Sequence, residues 1–254
     1  MSGLLAVFSL PALGGLSLSH QEAMRIGRKV WKNECGGTVA GLTSWNAGEN
    51  FASLGIGHFI WYPKGARGPF EESFPAFVIY VQKRGAKLPD LLLGEKRAAC
   101  PWDSRAEFLA AASSTKMNQL RRFLADTIDL QADFLVERLR GALPKMLATA
   151  PPEARDRVEQ NFNHLANRAH GCYALIDYVN FKGEGVLSTE RYRGQGWGLL
   201  QVLEGMPNAS GASPLSEFAD SAERVLRARV KNSPPTHNEQ RWLPGWLERV
   251  ETYR

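Results

Sequence analysis

Three side chains near the start of this chain can move a proton or hold a charge: Glu34, Glu49 and Ser53. Glu34 closes the run EAMRIGRKVWKNE, whose apolar residues recur at helical spacing and which Gly36-Gly37 then stops. A carboxylate on the last turn of a helix sits beside the partial negative charge of unpaired carbonyls. That field and burial both favour the protonated form, so Glu34 is expected to be an acid near neutral pH. The bland alternative is a solvated helix-end glutamate. Glu49 follows across a loop, and two carboxylates facing one cleft are the minimal apparatus for cleaving a glycosidic bond: one protonates the leaving oxygen while the other stabilises the cation, activates water or attacks. Ser53 adds a hydroxyl on the next strand, placed to orient water or a sugar substituent.

The stretch ENFASLGIGHFIWYP, residues 49 to 63, positions the last two. Its alternation reads as a strand, and Gly55 and Gly57 interrupt it. Glycines this close together give up side-chain packing, so they point to a sharp bend or to a helix or ligand pressing on the main chain. His58 reads either as a general base or as a hydrogen-bonded packing residue. A Cys35–His58 thiol protease fits poorly, because a reactive thiolate belongs at a helix N-terminus and Cys35 stands at a C-terminus.

The elements around this stretch divide in two. Residues 20–100 read as one helix followed by a small β-rich lobe, with FEESFPAFVIYVQKRG continuing in an extended or mixed style. Residues 101–254 carry amphipathic helical stretches. Among them, CYALIDYVNF is apolar on nearly every side except Asp177 and Asn180, which makes it the expected central helix, ended by KGEG. The fold class is α+β, mainly helical, as a single domain over 20–254.

The order of helix-end Glu34, loop Glu49 and S53LGIGH58 resembles the active-site hairpin of phage-type lysozymes, glycoside hydrolase family 24, within the lysozyme-like superfamily. In that resemblance Glu34 matches the acid, Ser53 the threonine that leads into the turn, and Gly55, Gly57 and His58 the turn itself. C172YALIDYVNFKGEG185 is similar to the buried central helix and its closing turn. The resemblance implies a lysozyme-like fold with a β-hairpin lobe and a larger helical lobe around that helix, and a muramidase-like activity on the amino-sugar backbone of peptidoglycan by general acid catalysis. The loop before Ser53 is longer than usual and holds no Asp, leaving Glu49 and Asn46 for the second role. Asn46, His58, Trp61, Gln195 and Trp197 are the candidates for contacting the glycan, the tryptophans because sugar faces stack on aromatic rings. Without a second carboxylate, a single acid can still work as in a lytic transglycosylase. A lysozyme-like module that binds wall glycan or an envelope protein without cutting it is the alternative.

Composition sets the remaining bounds. Over 254 residues, 44% are hydrophobic, enough for a sizeable core, and the net charge of +5 is spread along the chain. That balance suits anionic polymers or simply solubility, and no segment supplies the continuous basic face of a nucleic-acid binder. His and Cys spacings suggest no metal, and neither route needs a cofactor. Cys35, Cys100 and Cys172 allow one disulfide or three reduced thiols. LLAVFSLPALGGLSLS reads as a secretory signal within residues 1–19, implying periplasmic or secreted location, or else as a buried helix; no stretch reaches membrane-span length.

Overall fold

The computed structural model describes residues 18–68, 70–93, 99–208 and 213–254. The expected leader falls outside them except for its last two residues, of which Ser19 caps the first helix. There α1 (His20–Cys35) opens on a capping box, Ser19 accepting from the Glu22 N–H while the Glu22 carboxylate accepts from Ser19, and it ends on Gly36 in the left-handed conformation. Ala23, Ile26, Gly27 and Val30 form its buried face.

A three-stranded antiparallel sheet follows: β1 (Thr43–Ser44), β2 (Ala52–Leu54) and β3 (Phe59–Trp61), with Ser53 opposite both Ser44 and Ile60. The expected strand is therefore cut in two, and β2 is buried on both faces instead of alternating. Gly55 to His58 make the bend. Gly55 has φ +71°, and a β-carbon on it would meet Gln131 Oε1 at 2.3 Å. That fully buried amide accepts from Ile56 N–H at 2.8 Å, so the residue pressing on the glycines is a helix side chain.

Next comes α2 (Phe74–Gln82), a regular helix where an extended or mixed stretch is expected. Pro75 is accommodated in its first turn, and Phe74, Phe77 and Val81, spaced as one helical face, are buried. Then follow α3 (Arg105–Ala110), α4 (Thr115–Asp126), α5 (Ile128–Thr149), α6 (Pro152–Ala166) and α7 (Ala169–Lys182). The expected central helix is α7, with Gly171 to Val179 buried on every side and Gly183 ending it. It packs against α1, α5 and α6. A two-residue ribbon, β4 (Arg191–Tyr192) with β5 (Gln195–Gly196), leads to α8 (Leu199–Gly205), α9 (Pro214–Asn232) and α10 (Leu243–Glu251). The chain is thus mainly helical with two small antiparallel sheets, an α+β arrangement, and one hydrophobic cluster runs from α1 through the sheet to α10. No helix among the described residues is long and apolar enough to cross a membrane. All three cysteines are free and buried, so the disulfide alternative falls away.

Candidate active site

Glu34 stands where the end of α1, the glycine bend, α7 and α10 meet. Its Oε1 accepts from Arg249 Nη2 at 2.6 Å and from Asn180 Nδ2 at 3.1 Å, and its Oε2 lies 3.3 Å from His58 Nδ1. The Glu34 side chain keeps only 14% of its surface exposed. Arg249 is in turn fixed on Asp177, Nε to Oδ2 at 2.7 Å and Nη2 to Oδ1 at 2.8 Å. Tyr253 donates to Asp177 Oδ2 at 2.6 Å and Asn33 to Oδ1 at 3.1 Å, which satisfies a carboxylate of zero exposure.

This cluster reverses the expectation for Glu34. Burial pushes its carboxyl upward, but the Arg249 guanidinium and then His58 outweigh it and hold it down, from an ordinary 4.5 to about 2. His58 moves in the complementary direction: burial lowers it, but its contacts with Cys35 and Glu34 prevail and raise it to about 10. The cluster thus favours the imidazolium form of His58 over the neutral ring that a general base needs. Its φ of +47° turns the ring back across the bend, where Nε2 meets Ser44 Oγ at 3.3 Å. Cys35 Sγ donates to the Gly55 carbonyl at 3.3 Å, so the thiol staples α1 to the bend.

Glu49 has the opposite environment. Burial raises its carboxyl, opposed by hydrogen bonding to Asn46 and by the His58 charge, and the Glu34 charge raises it further. Its Oε2 is buried with no hydrogen-bond partner among the described residues. The loop carrying it is held by Trp45 Nε1 on the Glu49 carbonyl at 2.8 Å and by Glu49 N–H on the Asn46 carbonyl at 3.3 Å. Glu49, bonded to Asn46, therefore feels the charges of both His58 and Glu34.

The other predicted residues do not join them as imagined. Ser53 is 3% exposed within the sheet, which leaves its hydroxyl little room to position water. Trp61 is fully buried, tilted on Phe74 at 4.7 Å between ring centres, and offers no face to a sugar. Trp197 is also buried, under Tyr192 and the Arg229 guanidinium. Gln195 binds Asn232 and lines a separate groove of about 640 Å³ with Arg191, Gln201 and Glu204, a groove that includes none of Glu34, Glu49 and His58. Sequence reasoning missed Arg249, Ser44 and the roles of Asp177 and Asn180. The usable signal was Asp177 itself, since a carboxylate inside an apolar helix requires a buried cation. No protein-family model, curated protein or solved structure matches the chain.

Proposed function

We propose that the chain is a lysozyme-like enzyme that cleaves the amino-sugar backbone of peptidoglycan or a related wall polymer, acting in the periplasm or outside the cell. The observation that carries this is a pair of carboxyls beside one glycine bend whose surroundings push them apart, Glu34 towards the anion and Glu49 towards the acid. Such a split is how two like groups take the two roles of glycosidic cleavage. The roles are then exchanged relative to the sequence expectation. Glu49 gives its proton to the leaving oxygen, and Glu34, kept ionised by Arg249 and His58, faces the positive charge that develops on the sugar ring. Hydrolysis and intramolecular cyclisation differ only in the final nucleophile, water or the sugar's own hydroxyl.

The test is turbidity loss of purified cell walls, with mass analysis separating reducing ends from anhydro ends. Glu34→Gln and Glu49→Gln should each abolish lysis, and an unchanged rate in either removes that residue from the mechanism. A second reading rests on Glu34 alone. Both of its oxygens are already engaged by protein groups, as in a structural ion cluster, which suits a module that holds wall glycan without cutting it. Wall binding with no fragments released from the wild type would select that reading.

A further inference from the structure

Three basic side chains, Arg249 among them, share a short run of aromatic rings. The Arg249 guanidinium lies 4.2 Å from the centre of Phe181, and Lys182 Nζ lies 3.9 Å from the same ring and 3.3 Å from Trp246. The Arg229 guanidinium covers Trp246 at 5.1 Å and Trp197 at 4.1 Å. Two of the three are matched by acids: Arg249 by Glu34 and Asp177, and Arg229 by both oxygens of Glu239, at 2.9 and 2.8 Å. Lys182 is not. It is 9% exposed, and among the described residues it makes no hydrogen bond and has no carboxylate at ion-pair distance.

Ring faces and the carbonyl end of α7 favour a cation at this place, but two guanidiniums beside it oppose one. A buried amine so placed is costly, whereas an apolar residue would fill the same space without that cost. Of the three, Lys182 is the one that no carboxylate touches among the described residues. We propose that Lys182 is a specificity-determining residue that receives a carboxylate carried by a substituent of the glycan. This rests on the wall-glycan reading above and narrows it to an acidic polymer.

The free protein is prepared for such a group. Burial, and then the Arg229 guanidinium, hold the Lys182 amine well below the usual lysine range, with Glu239 and Glu34 pulling it up and Arg249 pushing it down. An arriving carboxylate favours the ammonium form, so binding is linked to the protonation of Lys182.

The experiment is isothermal titration calorimetry near pH 7 in two buffers of different ionisation enthalpy. It uses protein carrying Glu49→Gln to suppress cleavage and soluble wall fragments, either native or with their carboxylates amidated. Amidation should weaken binding about tenfold or more, as loss of a charge-assisted contact does, and should remove whatever proton uptake accompanies binding of the native fragments. Adding Lys182→Met should weaken native fragments to the same level and leave amidated ones unchanged. Native and amidated fragments binding alike to the lysine-containing protein would overturn the role of Lys182 and leave the glycan reading standing. Failure of both fragments to bind would overturn the two together.

Discussion

Arg249→Met removes the guanidinium that joins Glu34 to Asp177 while keeping most of its apolar volume. Moving the Glu34 carboxyl from 4.5 to about 2 corresponds to roughly 3 kcal/mol in favour of its ionised form, and Arg249 is the largest favourable cause. Breaking a buried ion pair from one side costs about 3–5 kcal/mol by a separate route, the uncompensated charge left behind. The two figures agree, so a loss of about 3 kcal/mol is expected at pH 6, against a total stability of about 5–15 kcal/mol. The variant should fold, but with a narrow margin. Its pH dependence carries the sharper information. A carboxyl depressed in the folded state contributes stability that is complete above the unfolded value near 4.5 and is lost as pH falls towards 2. The variant lacks most of that contribution, so the gap between the two proteins should narrow over this window. Urea unfolding followed by the fluorescence of the seven tryptophans at pH 6, 4 and 3 measures it. A loss under about 1 kcal/mol at pH 6, or a gap constant with pH, would refute the account of Glu34 as an anion held by Arg249.

The histidine end of the same cluster makes the opposite prediction. A group raised from 6.5 to about 10 stabilises fully below 6.5 and loses that contribution as pH climbs towards 10, so His58→Asn, which tolerates the positive φ, should flatten the alkaline limb of the stability profile. Thermal melts across that range decide it, and a variant that still loses stability in parallel with the wild type counts against the His58 cation. Gly55→Ala should cost about 2–4 kcal/mol by chemical denaturation, because it combines a left-handed backbone with displacement of the Gln131 amide. Gly36→Ala, also at positive φ but with nothing within 4 Å of the added carbon, should cost only about 1 kcal/mol. Equal losses at the two glycines would sink the argument that Gln131 requires Gly55.

Much of the positioning framework was legible because its causes are local. Gly36 and Gly37 stop α1 where the helical pattern ends, so Glu34 falls on the last turn as expected. The glycines of the bend signal close approach, and Gln131 at Gly55 and Phe59, Asn180 and Leu135 at Gly57 are what approach them. α2 is not legible in the pattern because Phe74 to Val81 is apolar almost throughout, which fits a buried strand as well as a buried helix. The charge state of Glu34 was misjudged for a different reason. Helix-end field and burial are read from neighbours in sequence, whereas the opposing guanidinium belongs to a residue 215 positions downstream. Trp61 and Trp197 suit a sugar face, but a tryptophan in an apolar segment serves a core equally well, and both are buried here.

The distance along the chain between Glu34 and its cation also bears on biosynthesis. While the polypeptide leaves the ribosome, α1 and the glycine bend can assemble early, yet the carboxylate between them lacks its guanidinium until residue 249 has emerged and α10 has docked. The charge cluster therefore cannot close before residue 249 has been made, and a nascent chain stalled short of α10 holds its acid without a counter-ion.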